Sequence, residues 1–286
     1  MNAFARGLAC AMFCVVATGA KAFEEHGFDS DGVDIRYISE GAGEPVVLIH
    51  GYTTNTEEQW IETGVFDKLA RHYKVYALDA RGHGKSGKPH DRQSYGPQMG
   101  QDIVRLLDHL KIDKADIIGY SMGAHIVAQL LTTDEDRFKT AVLGGSSGRR
   151  DWTAQDQKRV DIESAEMDEG LLKSQIVRLW PKDKAPPTEE EIRLRSAESL
   201  KGEDNKALAA VRRSNPDQVV TAEQMSRIKV PVLGIVGTND PYLADFEELK
   251  KAMPQLELVT VKDASHGTTP GNPRFEQAIE SFLAQH

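Results

Sequence analysis

Short apolar runs alternate with segments of helical periodicity along most of this 286-residue chain. The runs lie at residues 46–49, 75–78, 115–120, 141–147, 230–237 and 256–261. A strand that is apolar on both faces must be covered on both sides, and helices between successive strands supply that cover. The pattern therefore predicts a mostly parallel, doubly wound α/β sheet, with the more alternating run at 256–261 near one edge. Residues 28–41 predict an N-terminal β-hairpin, and residues 56–71 predict a helix.

The segment from residue 149 to 225 interrupts this alternation, because it contains no strand pattern. It is rich in Glu, Lys, Arg and Ala, and it is interrupted by Trp180-Pro181 and by Pro186-Pro187. We therefore predict a helical cap at 149–225, inserted before the last two core strands, and an α/β core built from residues 23–148 and 226–286. Such an insertion is expected to form a lid over the strand ends; a peripheral helical bundle is the alternative.

Residues 1–22 differ in composition from the rest of the chain. They contain Arg6, no acidic residue, small and apolar residues from position 8 to 17, and an Ala-Lys-Ala sequence that ends at Ala22. This order is typical of a secretory signal peptide, and the apolar run is short for a membrane span. We predict cleavage after Ala22, or two residues earlier, and a periplasmic or secreted protein. An uncleaved anchor and an amphipathic first helix are the alternatives.

Charge and cysteine content constrain the partners of the chain. Asp and Glu number 44 against 35 Lys and Arg, a formal net charge of −9, which argues against a nucleic-acid partner. Both cysteines, Cys10 and Cys14, lie in the predicted signal peptide, so the processed chain would have no disulfide. At 40% hydrophobic residues the chain can bury a large core without one. No stable membrane insertion is expected after cleavage, and the sequence gives no indication of oligomeric state.

A serine lies where the predicted strand at 115–120 turns into a helix, in the sequence GYSMG at residues 119–123. A serine hydroxyl is a weak nucleophile until an adjacent base, usually a histidine oriented by a carboxylate, activates it. A sharp strand-to-helix turn exposes the hydroxyl, and glycines on both sides remove the Cβ clashes of such a turn. We therefore predict that Ser121 is a nucleophile; a helix N-cap is the alternative.

The base and the acid are expected later in the chain. His266 lies in the polar loop ASHGTTP after the last predicted strand, from which its imidazole can reach over the strand ends. Asp240 follows the run at 230–237 in the sequence TNDPY, where it also suits a turn. Asp151 and Asp245 are weaker candidates for the acid. Ser121, Asp240 and His266 all follow predicted strands at their carboxyl ends, where doubly wound sheets bind their ligands.

The order Ser121, Asp240, His266 resembles the triad order of the α/β-hydrolase superfamily. The His-Gly pair at residues 50–51 and the sequence DARGHGKS at residues 79–86 add to the resemblance, which covers essentially the whole processed chain. These motifs are similar to those of the lidded, single-domain branch that contains esterases, haloperoxidase-like enzymes and carbon–carbon bond hydrolases.

An oxyanion formed at the carbonyl of a substrate needs donors that are already in place. The residue after the nucleophile supplies one backbone N–H, which here is that of Met122. The resemblance implies that the second comes from the loop after the His-Gly pair, namely the backbone N–H of Tyr52. The DARGHGKS loop is predicted to be scaffold, with Asp79 and Arg81 in buried polar contacts.

The sequence contains no H-E-x-x-H motif, no EF-hand pattern and no glycine-rich nucleotide loop after a strand, so we expect no metal and no cofactor. A serine rather than an aspartate at position 121 argues against haloalkane dehalogenase and epoxide hydrolase chemistry, which would proceed through an alkyl–enzyme ester.

We expect a serine hydrolase that cleaves a small ester, or a related acyl substrate, through an acyl-enzyme. A carbon–carbon hydrolase, an amidase or aminopeptidase, and a cofactor-free perhydrolase remain open, because the same triad serves them all. From a different class, the chain could be a binding or receptor protein of this fold with little turnover. The charged cap is poorly suited to a true lipase, which should expose a large apolar lid face.

Overall fold

The computed structural model describes residues 23–148 and 151–286, so the predicted signal peptide at residues 1–22 lies outside the described residues. The strands of this part of the chain are β1 (Glu24–Asp29), β2 (Asp34–Glu40), β3 (Pro45–Ile49), β4 (Lys74–Leu78), β5 (Ala115–Tyr120), β6 (Phe138–Gly144), β7 (Val232–Gly237) and β8 (Glu257–Val261). They form one sheet in the order β1-β2-β4-β3-β5-β6-β7-β8. Every neighbouring pair from β4 to β8 in this order is parallel, whereas the β1–β2 and β2–β4 pairs at one edge are antiparallel. The predicted α/β fold is confirmed.

The hairpin between β1 and β2 turns at Asp31-Gly32, as the sequence predicts. Both residues have positive φ, 58° for Asp31 and 79° for Gly32. Ser30 and Val33 exchange both backbone hydrogen bonds across the turn, at 2.9 and 3.4 Å. A two-residue turn of this hand follows the right-handed twist of the strands, and Asp-Gly tolerates it well.

Helices cover both faces of the sheet. They are α1 (Val65–Leu69), α2 (Pro97–Leu110), α3 (Met122–Thr133), α4 (Ala154–Asp168), α5 (Lys173–Arg178), α6 (Glu189–Ser199), α7 (Asn205–Arg213), α8 (Ala222–Ser226), α9 (Leu243–Ala252) and α10 (Pro273–Leu283). Alternate residues of β3 show the two layers: Val47 and Ile49 belong to an apolar cluster with residues of α2, α3, α8 and α9, whereas Val46 and Leu48 belong to a second cluster with residues of α1 and α10. No helix of the described residues is both long and apolar enough to cross a membrane.

The segment predicted as one helix at residues 56–71 is instead two short helices. A π-helical turn spans Glu57–Ile61, and α1 begins only at Val65. Gly64 separates them with φ 77°, a left-handed conformation that glycine adopts without steric cost. The side chain of Thr63 also donates to the carbonyl of Gln59 at 2.7 Å, a local bond that competes with helix continuation.

Helices α4 to α8 lie between β6 and β7 and correspond to the segment predicted as a cap. Three of them begin at capping boxes, in which a threonine and the residue three positions later satisfy each other's backbone N–H groups: Thr153 with Asp156, Thr188 with Glu191, and Thr221 with Gln224. A small apolar cluster of Met167, Leu172, Leu208 and Ala209 packs against Tyr52 of the core. The cap therefore contacts the core through a residue of the predicted oxyanion loop.

The loop that follows β4 makes buried polar contacts, as expected of a scaffold. The carboxylate of Asp79 accepts the backbone N–H groups of Thr56 and Lys85, both at 2.9 Å. Arg81 contacts a different carboxylate, that of Asp102, through Nε at 2.7 Å and Nη2 at 2.5 Å. Both ion-pair partners are almost fully buried, so that removing either one would leave an uncompensated charge.

Candidate active site

Ser121 lies at the sharp turn between β5 and α3, with φ 52° and ψ −107°, a strained conformation for a residue with a side chain. A Cβ on Gly119 would lie 2.3 Å from the carbonyl group of Gly123. A Cβ on Gly123 would lie 2.1 Å from the carbonyl oxygen of Ile49 on the neighbouring strand. Both glycines are therefore required for the helix to start this close to the strands, and this closeness is what exposes the Ser121 hydroxyl.

Three side chains predicted to act together form a continuous hydrogen-bonded chain. Nε2 of His266 lies 2.9 Å from Oγ of Ser121, and Nδ1 of His266 lies 2.9 Å from Oδ2 of Asp240. A carboxylate can only accept, so Nδ1 carries the proton and Nε2 is left to accept the serine hydroxyl proton. The carboxylate that contacts His266 is that of Asp240, whereas Asp151 precedes α4 and Asp245 lies in the first turn of α9.

The loops after β7 and β8 hold the acid and the base in place. Asp240 is fully buried, and its Oδ1 accepts the backbone N–H of Tyr242 at 3.0 Å. The same side chain therefore stabilises the turn after β7 and contacts His266. The hydroxyl of Tyr120 donates to the backbone carbonyl of His266. The rings of Tyr120 and Tyr242 each lie 5.5 Å from the imidazole of His266. Sequence reasoning gave neither tyrosine a role, although Tyr120 lies inside the GYSMG motif.

Tyr52 and Met122, the residues predicted to supply the oxyanion donors, line the same cavity as Ser121. Met122 is the first residue of α3, where backbone N–H groups lack helical acceptors. On the other side, His50 accepts the N–H of Ala80 at Nε2, at 3.0 Å, and donates from Nδ1 to the carbonyl of Gly51 at 2.7 Å. In a trans peptide the N–H points opposite to the carbonyl, so the N–H of Tyr52 points away from His50. His50 thus fixes the peptide that carries the predicted donor.

A cavity of about 230 Å³ opens above the serine and lies between the core loops and the cap. Its core wall includes Gly51, Tyr52, Ser121, Met122 and His266. Its cap wall consists of Arg159, Gln175, Arg178, Leu179, Val211, Arg212, Asn215 and Gln218. Within the described residues, no group of three or more His, Cys, Asp or Glu side chains is placed to hold a metal ion.

Comparison with known proteins identifies the family. A family model for the alpha/beta hydrolase fold matches residues 44–269. The chain belongs to the alpha/beta hydrolase family. A 2-hydroxy-6-oxo-6-(2'-aminophenyl)hexa-2,4-dienoic acid hydrolase of Metapseudomonas resinovorans is 34% identical over 131 residues, or 44% of each protein, so the match spans less than half of that relative.

Two solved structures share the fold of this alpha/beta hydrolase over nearly its full length. The enol-lactonase from Burkholderia xenovorans LB400 has a TM-score of 0.73 at 24% identity, covering 91% of this chain and 100% of its own. A thermophilic esterase from Thermogutta terrifontis, solved with malate bound, has a TM-score of 0.75 at 20% identity, covering 92% and 98%. At these identities the likeness establishes the fold alone.

Two cap arginines of this hydrolase share one carboxylate above the cavity. Arg178 on α5 contacts Glu163 through Nε at 2.8 Å and Nη2 at 3.2 Å, and Arg212 on α7 contacts it through Nε at 3.2 Å. Burial alone would raise the pKa of Glu163, but the Arg212 and Arg178 guanidinium groups outweigh burial and hold the pKa of that carboxyl below its usual value. Glu163 is therefore ionised and fixes the positions of both arginines.

A pair of buried histidines lies beneath the oxyanion loop. The rings of His50 and His83 are 5.2 Å apart, and the ring of Tyr52 lies 5.7 Å from that of His83. Burial, reinforced by the neighbouring His50, lowers the pKa of His83 to about 3. Burial also lowers the pKa of His50. Both imidazoles are therefore neutral in the folded protein at neutral pH, as the acceptor role of His50 Nε2 requires.

The neutral histidines predict that the protein loses stability in acid. In the unfolded chain His83 binds a proton near pH 6.5, whereas in the folded chain it stays neutral until about pH 3. The unfolded state thus binds more protons in this window, and the free energy of unfolding should fall as pH falls, by up to about 1.4 kcal/mol per pH unit for each such histidine. Urea unfolding of wild type and His83→Phe at several pH values tests this, and the variant should show the shallower slope. Equal slopes, or the same flattening in the exposed-site control His72→Gln, would contradict it.

Proposed function

We propose that this alpha/beta hydrolase cleaves a small carboxylic ester through an acyl-enzyme on Ser121. The observation that carries the proposal is the hydrogen-bonded chain from Ser121 through His266 to Asp240, with both contacts at 2.9 Å. An imidazole with its proton on Nδ1 can remove the serine proton as the oxygen attacks. The buried carboxylate then stabilises the imidazolium that forms.

In the first half-reaction, Oγ of Ser121 attacks the acyl carbon while Nε2 of His266 takes the hydroxyl proton. The carbonyl oxygen becomes negatively charged, and the backbone N–H groups of Tyr52 and Met122 are the donors we propose for it. Collapse of this intermediate breaks the bond to the alcohol oxygen, which takes the proton back from His266. The acyl group is left as an ester of Ser121.

In the second half-reaction, water attacks the acyl carbon and His266 accepts one of its protons. The same two N–H groups stabilise the second oxyanion. The serine oxygen then leaves with the proton from His266, and the carboxylic acid is released. Asp240 keeps its charge throughout, because its role is to orient the imidazole and offset its positive charge.

The cavity favours a small, polar acyl group. Pockets for drug-sized ligands measure roughly 300–1,000 Å³ and are mainly apolar. The cavity here is about 230 Å³, and its cap wall contains three arginines and three amide side chains. A long alkyl chain would have to displace water from these groups without replacing their hydrogen bonds, which is unfavourable.

Hydrolysis of p-nitrophenyl esters from acetate to palmitate by residues 23–286 tests the ester function. We expect short esters to have a kcat/KM at least about tenfold above that of palmitate, since the cavity cannot bury the longer chain. Ser121→Ala should show no turnover above that of a protein-free blank, and Ser226→Ala, which removes an exposed hydroxyl at the end of α8, should match wild type. Turnover equal in wild type and Ser121→Ala would refute the proposal.

A carbon–carbon bond hydrolase is the second candidate, because the relative from Metapseudomonas resinovorans is named for hydrolysis of a hexadienoic acid. The same triad and oxyanion donors would serve attack on a ketone carbon. A wild-type protein that is inactive on all the esters, but consumes a 2-hydroxy-6-oxo-hexadienoate chromophore in a Ser121-dependent way, would favour this reading. Inactivity on both substrate types would favour a binding protein of the same fold.

A further inference from the structure

The wall of the cavity carries a charge opposite to that of the whole chain. The sequence has a formal net charge of −9, yet among the described residues the cavity is lined by Arg159, Arg178 and Arg212 and by no Asp or Glu. A concave site lined by one sign of charge concentrates ligands of the opposite sign. The three arginines belong to three different cap helices, α4, α5 and α7, so they converge only in the folded protein.

The guanidinium of Arg212 is held in a fixed position at the edge of the cavity. It lies 4.0 Å from the centre of the Tyr52 ring, with its Nε on Glu163 and its Nη2 on the side-chain oxygen of Gln175. A guanidinium has five N–H donors, so further donors remain to face a ligand. Stacking, an ion pair and a hydrogen bond pre-organise the group, which lowers the entropy that a ligand must overcome on binding.

The net charge of the cavity arginines and their carboxylate partners indicates which ligand the cavity fits. Arg178 and Arg212 share the single carboxylate of Glu163, so the three groups carry a net charge of +1. Arg159 is compensated separately by Asp156 at 2.7 Å. A partly buried uncompensated cation is costly, and a monoanion in the cavity would offset it. A carboxylate has one negative charge and two oxygens, and it pairs with a guanidinium in a two-pronged geometry.

The two arginines flank different parts of the reaction site. Arg212 stacks on Tyr52, whose backbone N–H is the donor proposed for the acyl carbonyl oxygen. Arg178 donates to the hydroxyl of Tyr242, whose ring packs on His266, the group that returns a proton to the alcohol. Of these two arginines, Arg212 is therefore the one that contacts the residue of the proposed acyl oxyanion donor.

We propose that the substrate carries a carboxylate on its acyl part, as in a half-ester of a short dicarboxylic acid, and that Arg212 binds this carboxylate. The inference rests on the ester hydrolase function proposed above. The polar lining and small volume of the cavity agree with a short acyl chain that ends in a charged group.

Three esters of matched shape test the inference: monoethyl glutarate, ethyl valerate and the valeryl ester of glycolate. Monoethyl glutarate places a carboxylate where ethyl valerate has the terminal methyl of its acyl chain, and the glycolate ester places it on the alcohol part. Acid release by the wild-type protein, corrected for Ser121→Ala, gives kcat/KM for each. We expect monoethyl glutarate to exceed both others by about tenfold or more, as a charge-assisted pair should give.

Two variants assign the effect to Arg212. In Arg212→Gln the ratio of kcat/KM for monoethyl glutarate over ethyl valerate should fall toward one. In Arg193→Gln, which removes an arginine paired with Glu190 on the exposed face of α6, the ratio should stay at the wild-type value. An unchanged ratio in Arg212→Gln would refute the assignment. If that variant does not fold, glutarate and valerate are compared as competitive inhibitors of the wild-type protein. Glutarate should inhibit more strongly, and equal inhibition would refute the inference.

The outcomes separate this inference from the function on which it rests. Ethyl valerate or the glycolate ester hydrolysed at least as well as monoethyl glutarate would overturn the acyl carboxylate while leaving the ester hydrolase intact. No hydrolysis of any of the three above the Ser121→Ala background, with p-nitrophenyl esters also inert, would overturn both.

Discussion

Ser121→Ala and His266→Ala are each expected to lower kcat by about 10⁴-fold or more on any ester that the wild-type protein hydrolyses. The expected losses are this large because the hydroxyl and the imidazole act in one step: without the base the hydroxyl stays protonated, and without the hydroxyl the base has nothing to activate. Steady-state kinetics of the single variants and of the double variant measure the effect.

The double variant is the sharper part of this prediction. Groups that act as a unit are not additive, so Ser121→Ala/His266→Ala should be about as slow as either single variant. Asp240→Asn should lose less than either, since the nucleophile and the base both remain. His72→Gln removes an exposed imidazole and should match wild type. Losses that multiply in the double variant would mean that the two residues act independently, which contradicts a shared proton transfer.

Gly123→Ala is expected to destabilise the protein by about 3 kcal/mol or more, because the new methyl group would collide with backbone. A Cβ at this position lies 2.1 Å from the carbonyl oxygen of Ile49 and 2.9 Å from that of His50. Neither atom can turn aside as a flexible side chain can, so α3 must move away from β3. That movement would also separate the elbow from the loop that carries Tyr52.

Urea unfolding of Gly123→Ala beside Gly271→Ala measures this cost. A Cβ on Gly271 would meet no atom within 4 Å, so that control should lie within about 0.5 kcal/mol of wild type. Gly119→Ala should resemble Gly123→Ala, because its Cβ would lie 2.3 Å from backbone atoms of Gly123. A Gly123→Ala variant as stable as the control would show that the elbow does not need a close approach of α3 to β3.

The features that the sequence predicted are those with local patterns. The apolar runs located the core strands, and Asp31-Gly32 located the hairpin turn. The glycines that flank Ser121 predicted a sharp turn, because a side chain at either position would clash where a strand turns directly into a helix. The positions of Asp240 and His266 followed from the rule that ligands bind beyond the carboxyl ends of parallel strands.

The features that the sequence did not reveal depend on contacts between distant segments. Arg178 and Arg212 belong to charged helices, and nothing in their spacing indicates that both would contact Glu163. Tyr120 lies next to the serine, but its contact with the carbonyl of His266 spans 146 residues of sequence. The break at Gly64 is not apparent from the sequence, because the apolar periodicity continues across it. The left-handed φ of this glycine is what separates the two helices.

Covalent trapping of Ser121 tests the central claim most directly. The protein would be incubated with diethyl p-nitrophenyl phosphate, whose attack by an activated serine releases p-nitrophenol and leaves a stable diethylphosphoryl ester, and then mapped by peptide mass spectrometry. We predict one modified residue, Ser121, with labelling abolished in Ser121→Ala and strongly slowed in His266→Ala. Labelling at another residue, or at Ser121 with the same rate in His266→Ala, would contradict an activated nucleophile at the elbow.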